Sequence, residues 1–279
     1  MPYQFKLSLC NEVFEGASFA EAAKIVAKAG YGGIEIAPFT LAEDASRITA
    51  AQRRQYRSIL QSEGLRFVGL HWLLVGPKDL HVTTPDRAVR QRSWDYVRAL
   101  VDLCSDFGPD GVMVFGSPKQ RSTTSGISRE EATRYFVEGL QKVAPQAAMR
   151  GVRILVEALP RVQSDIICTL AEAVKVVHEV GSPAVRTMFD THNTNDETEP
   201  HAALVEKYFD LIHHVHVNEM DGSYPGAGTY DFKPVLEVLQ RRNYQGWVSA
   251  EVFDFKPGAE IIARETIRHL KAEIGRIAK

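Results

Sequence analysis

Short apolar or β-branched runs recur along the whole chain, and longer stretches with apolar residues at helical spacing fill the intervals between them. Eight runs read as strands: FKLSLC (5–10), GIEIAP (33–38), RFVGLHW (66–72), GVMVFG (111–116), VRILVEA (152–158), AVRTMFD (184–190), HHVHVN (213–218) and GWVSAEV (246–252). A helical pattern follows each one, the last being PGAEIIARETIRHLKAEIG. Helix starts are marked where Ser18 precedes Glu21, Ser128 precedes Glu131 and Thr169 precedes Glu172 at capping-box spacing. Gly30, Gly64, Gly108, Gly151 and Gly181 stand where a left-handed residue ends a helix. Eight strand–helix units without a linker predict an α/β fold, specifically a closed (β/α)8 TIM barrel forming one domain over 1–279. A doubly wound sheet normally has fewer strands, and neither G-x-G-x-x-G nor G-x-x-x-x-G-K-[ST] occurs.

Composition removes several function classes. With 33 Lys+Arg against 35 Asp+Glu the formal charge is -2, so no long-range field recruits a polyanion, and a nucleic-acid partner is not expected. At 44% hydrophobic the chain is neither disordered nor collagen-like. No apolar run approaches the roughly 18 residues that cross a bilayer, and the first residues lack a basic leader, so no membrane partner is expected. Cys10, Cys104 and Cys168 are odd in number and widely spaced, which reads as reduced thiols in a cytoplasmic protein.

In a barrel, the C-terminal strand ends build the site. Four consecutive strands carry an acid or imidazole there: Glu157, Asp190, His216 and Glu251. Period-two alternation puts Glu157 on one face with Leu155, Asp190 with Met188, His216 with His214, and Glu251 with Ser249, so all four can point inward. Any one of them alone is as readily a strand-end polar group satisfied by a loop. Four together would repel unless a cation sat between them, and three carboxylates with one imidazole suit Mn²⁺, with Mg²⁺ or Co²⁺ also compatible, better than a zinc cage. Strands five and eight face each other obliquely across the mouth, so Glu157 and Glu251 can flank a substrate and exchange a carbon-bound proton from opposite faces.

The contexts VEALPR, MFDTHN, HVHVNE and SAEVF, with intervals of 33, 26 and 35 residues between the four side chains, resemble the xylose-isomerase-like barrel superfamily. The similarity is to its tagatose 3-epimerase, psicose (allulose) 3-epimerase and hydroxypyruvate isomerase branch. That resemblance implies a Glu, Asp, His, Glu set holding the metal, and two glutamates passing a proton through an enediolate. It implies a ketose 3-epimerase acting on a non-phosphorylated sugar or polyol, and a homodimer or homotetramer. Three positions depart from the branch: Gln163 stands where those enzymes have Glu, Asn193 where they have His, and Gly222 where they have Arg. The exact substrate is therefore open.

Remaining candidates for substrate contact are His71 and Trp72 after strand three, His192 and Asn193 after strand six, and Glu219 after strand seven. Trp72 and His192 read equally as packing or surface residues. Three other activities use the same apparatus differently: aldose–ketose or hydroxypyruvate-type isomerisation, β-elimination by a keto-sugar or keto-glycoside dehydratase, and noncatalytic carbohydrate binding. An endonuclease of the same superfamily would need more histidine ligands and a basic surface.

Overall fold

The computed structural model describes residues 3–277. Eight parallel strands close into a barrel in sequence order. They are β1 Lys6–Cys10, β2 Gly33–Ile36, β3 Arg66–Leu70, β4 Val112–Phe115, β5 Arg153–Val156, β6 Val185–Asp190, β7 Ile212–Val217 and β8 Trp247–Ala250. The helices are α1 Phe19–Ala29, α2 Ala50–Ser62, α3 Arg87–Phe107, α4 Pro118–Arg121, α5 Arg129–Met149, α6 Leu170–Val180, α7 His201–Lys207, α8 Lys233–Arg241 and α9 Ala259–Ile277. Each expected strand is present; β7 is shifted one residue toward the N-terminus of its run at equal length and the other seven are shorter than their runs, with Glu157 and Glu251 lying just past the ends of β5 and β8. The short α4 was not anticipated in the polar segment GSPKQRSTTSG. Among the described residues no helix is long and apolar enough to cross a membrane.

Local signals act largely as the chain suggests. Ser18 and Glu21 form a reciprocal capping box, and Ser128 and Thr169 each accept the backbone N–H three residues on. Gly30, Gly64, Gly151 and Gly181 have positive φ, as a left-handed helix stop requires. Gly108 does not: its φ of 178° is extended backbone. A Cβ there would lie 3.3 Å from Phe67 Cβ, so closeness to β3, not handedness, limits the side chain at this stop.

Two kinds of core result. Outside the strands, one continuous apolar layer packs under the helices, with Trp94 of α3 pressed so closely on α5 that a Cβ at Gly139 would collide with its ring. Inside, Val112, Val114, Leu155 and Met188 fill the β4–β6 side. The β1, β2, β7 and β8 side is polar instead, with Ser8 bonded to Ser249, and Glu35 and His214 fully buried. This difference sets where charge can gather.

Candidate metal centre

Asp190 ends β6 and pairs in register with His216 on β7, which in turn pairs with Ser249 two residues before Glu251. That register, together with the twist of the sheet, brings Glu157, Asp190, His216 and Glu251 to one point at the C-terminal mouth. One donor atom from each lies within 4.8 Å of the other three, and all four side chains are buried. A buried site able to coordinate a divalent metal is therefore present.

Each ligand is aimed by neighbours. His216 Nδ1 lies 3.0 Å from Glu251 Oε2 and 3.7 Å from Asp190 Oδ2, while its Nε2 lies 3.1 Å from Glu35 Oε1. Asp190 Oδ1 accepts the backbone N–H groups of His192 and Asn193 at 2.7 and 3.1 Å, leaving Oδ2 turned toward the cluster. Asn193 Nδ2 donates to Glu157 Oε1 at 2.9 Å and to Asp190 Oδ2 at 3.2 Å. Trp72 Nε1–H donates to Glu251 Oε1 at 2.7 Å. Gly116 permits the backbone to approach Glu157, since a Cβ there would lie 2.2 Å from Oε2.

The electrostatics fit a cation. Burial, reinforced by Glu251 and Asp190, pushes Glu157 up to about 8. Burial opposes the charge on Glu251 too, but His216 outweighs it and holds that carboxyl below its ordinary value. His216 sits well above the usual imidazole range, because Glu35 and Glu251 overcome its burial. Three crowded carboxylates with one imidazole are an oxygen-rich donor set with excess negative charge, which a divalent metal neutralises.

Two further residues that support the centre do not stand at a strand end. Glu35, in the middle of β2, is fully buried with Oε1 facing His216 Nε2 and Oε2 2.7 Å from His214 Nε2. It had a readable signal: a lone acid between Ile34 and Ile36, alternating inward with Gly33 and Ala37. Arg121 had none, lying in a polar segment that reads as surface. It is fully buried, donating to the carbonyls of Phe115 and Glu157 at 2.9 and 2.7 Å, and burial pulls it down to about 10.

The other sequence candidates surround the centre differently. Trp72 and Asn193 line a cavity of about 520 Å³ with Glu157 and Glu251 at its floor. His71 is fully buried, its Nε2 2.7 Å from Glu12 Oε2. His192 Nδ1 lies 2.9 Å from the Met220 carbonyl, and its ring packs on Phe253. Both oxygens of Glu219 accept backbone N–H groups, from Gly226 and Tyr230 at 2.8 and 2.9 Å, which ties down the loop after β7.

Known proteins share the architecture that carries this site. The family model described as xylose isomerase-like TIM barrel covers residues 23–273. The chain belongs to that family. Within it, a 3-dehydro-D-guloside 4-epimerase of Escherichia coli strain K12 is 25% identical over 254 residues, 88% of this chain and 91% of that protein. An L-ribulose 3-epimerase of Methylomonas sp. strain DH-1 is 28% identical over 228 residues, 81% of this chain and 75% of the other. Among solved structures, a D-psicose 3-epimerase from Clostridium cellulolyticum H10 with D-tagatose superposes with a TM-score of 0.83 at 20% identity, covering 96% of this chain and 98% of that one. That likeness shows the barrel fold, whereas the sequence matches, over most of the chain, relate it to sugar epimerases.

Proposed function

We propose that the protein is a divalent-metal-dependent ketose 3-epimerase acting on a non-phosphorylated keto sugar. One observation carries the reading: Glu157 and Glu251 project from β5 and β8 into the same buried donor cluster, with carboxylate oxygens inside the 4.8 Å that spans it. Homology to sugar 3- and 4-epimerases over most of the chain supports it.

Glu157, Asp190, His216 and Glu251 would hold the metal, with Mn²⁺ our first choice from the oxygen-rich donor set. When bound, the metal supplies Lewis-acid polarisation of an α-hydroxy carbonyl, which acidifies the neighbouring C–H. The protein supplies the proton movement. One glutamate takes the proton from C3 on a carboxylate oxygen, and the other returns a proton to the opposite face of the planar enediolate, inverting that carbon. Trp72 holds Glu251 through its indole N–H, and Asn193 holds Glu157 through its side-chain amide, so each base keeps its orientation as it changes charge. Trp72 and Asn193 also line the cavity and are our choices for substrate contact. His71, His192 and Glu219 would act behind them, each already engaged by Glu12, Met220 or the loop backbone.

We further take residues 1–279 as one domain of a cytoplasmic enzyme that assembles as a homodimer or homotetramer. The test of the activity is incubation of metal-loaded protein with ketohexoses and ketopentoses in D₂O. Deuterium entering at C3 with inverted ketose as product supports epimerisation. Aldose product, loss of water, or no exchange across the panel would reject it.

A further inference from the structure

A second group of metal-type donors lies on the β1–β3 side of the barrel. Cys10 Sγ, a Glu12 carboxylate oxygen and a His71 ring nitrogen all lie within 4.8 Å of one another, and the three residues are 0%, 4% and 0% exposed. None of the three lines the cavity over Glu157 and Glu251. Cys10 ends β1, Glu12 sits in the short turn Asn11–Phe14 that follows, and His71 comes directly after β3. Asn11 fixes that turn from within the protein: its side-chain amide donates to Thr40 Oγ1 at 2.8 Å and accepts the Ala37 N–H at 2.7 Å.

Contacts within the group leave donor atoms over. His71 Nε2 lies 2.7 Å from Glu12 Oε2, so an ion pair between them uses one atom of each. Glu12 Oε1 and His71 Nδ1 are buried with no hydrogen-bond partner among the described residues. A buried carboxylate oxygen without a partner has lost its water for nothing in return, and native structures rarely leave one so without a reason. A cation between Glu12, His71 and a Cys10 thiolate supplies that reason. With Nε2 on the ion, Nδ1 becomes the N–H turned toward Glu35 Oε1, 3.8 Å away, which is how a carboxylate behind a metal-bound imidazole fixes its tautomer. Glu35 Oε1 also faces His216 Nε2 at 3.1 Å, and the His71 and His216 ring centroids are 6.2 Å apart. One carboxylate thus stands behind a histidine of each donor group, where its charge offsets the repulsion of two neighbouring cations.

We propose that Cys10, Glu12 and His71 form a second, thiolate-containing metal site that takes Zn²⁺ and ties the end of β1 to the end of β3. The donor set separates it from the mouth centre. Thiolate and imidazole beside one carboxylate are a softer, mixed set that suits Zn²⁺ or Co²⁺, whereas three carboxylates with one imidazole suit a harder ion such as Mn²⁺. Glu12 carries two oxygens, so the three side chains can supply four donor atoms. The Cys10 thiol gives its proton to solvent as the ion enters, and His71 ligates as a neutral imidazole. Burial of all three side chains away from the cavity makes the ion a structural one. The site stands on its own donors and does not depend on the epimerase reading.

The test uses Co²⁺ as probe, because a cobalt–thiolate bond gives a near-ultraviolet charge-transfer band that oxygen and nitrogen ligands do not. The ion is supplied anaerobically to the reduced, chelator-treated protein and, in parallel, during expression, so that slow entry to a buried site is not mistaken for absence. Two Co²⁺ per chain are expected, with a charge-transfer band that Zn²⁺ removes. Cys10→Ser should abolish the band and weaken this ion by about tenfold or more, while Mn²⁺ affinity at the mouth centre changes little. Glu12→Gln keeps the thiol and should weaken the same ion by a similar factor. Two ions without the band, one ion without it, unchanged cobalt affinity in Glu12→Gln, or a band that survives Cys10→Ser and so belongs to Cys104 or Cys168 would overturn the site. One ion with a band that Cys10→Ser abolishes would support it and remove the mouth centre instead.

Discussion

Trp72 Nε1 lies 2.7 Å from Glu251 Oε1, and the tryptophan that makes this bond occupies a left-handed backbone conformation at φ +50°. Non-glycine residues in that region carry local strain that their surroundings must offset. Here the strain coincides with a hydrogen bond to one of the two glutamates assigned to proton transfer. Trp72→Phe keeps an aromatic wall while removing the donor. We expect kcat to fall about ten- to a hundredfold, corresponding to loss of a hydrogen bond to a charged group. Metal content should change little, because His216 still faces Glu251 Oε2. Steady-state kinetics with metal analysis checks this, and an unchanged kcat would mean that the indole N–H does not position Glu251.

Gly116 stands directly over Glu157. A Cβ at this position would fall 2.2 Å from Oε2, in the way of a carboxylate whose other oxygen is already held by Asn193. Gly116→Ala should therefore displace Glu157 from the ligand cluster and lower both metal affinity and exchange activity by about tenfold or more. The fold should persist, since the clash is with a side chain at the barrel mouth. Retained metal affinity at the wild-type level would show that Glu157 can move aside without leaving the site.

The barrel and its four-residue centre were legible because both rest on short-range rules. Alternation along VRILVEA and AVRTMFD tells which side of the sheet Glu157 and Asp190 occupy, and closure of the strands then makes their convergence unavoidable. The supports were less legible, since they depend on who lies across the barrel. Glu35 meets His216 from a strand more than 180 residues away in the chain, and no spacing encodes that distance. Arg121 reads as a loop cation, yet the carbonyls of Phe115 and Glu157 draw it inward. Glu219 looked equally able to face substrate, and only the folded loop reveals that Gly226 and Tyr230 occupy both its oxygens.

Glu35 bridges two histidines, with Oε2 near His214 Nε2 and Oε1 near His216 Nε2. Burial works against its charge, but His214 and His216 hold it well below the usual carboxylate range. As an ionised acceptor at Nε2 it leaves Nδ1 of His216 as the atom offered to a metal. Glu35→Gln retains the shape but turns one acceptor oxygen into a donor, so one histidine must lose its bond or change tautomer. Metal affinity measured against a competing chelator should drop about ten- to a hundredfold. Wild-type affinity in a folded Glu35→Gln protein would show that the tautomer is set by another group.

Metal uptake should also be coupled to proton release. In the metal-free protein, burial together with Glu251 and Asp190 keeps Glu157 protonated up to about pH 8. His216 likewise keeps its second proton well above the ordinary imidazole range, through Glu35 and Glu251 acting against burial. Ligation requires a carboxylate and a free Nδ1 lone pair, so each group must give up a proton to the solvent as the metal enters. The sign follows directly: below about pH 8 apparent metal affinity rises with pH, by about two orders of magnitude per unit where both groups are protonated, and the slope declines toward one as Glu157 ionises. Calorimetric titration of chelator-treated protein at pH 7, repeated in buffers of different ionisation enthalpy, counts the protons released. A count close to two agrees with this coupling, whereas zero would mean that the ligands are already deprotonated and that the carboxylates tolerate one another without a cation.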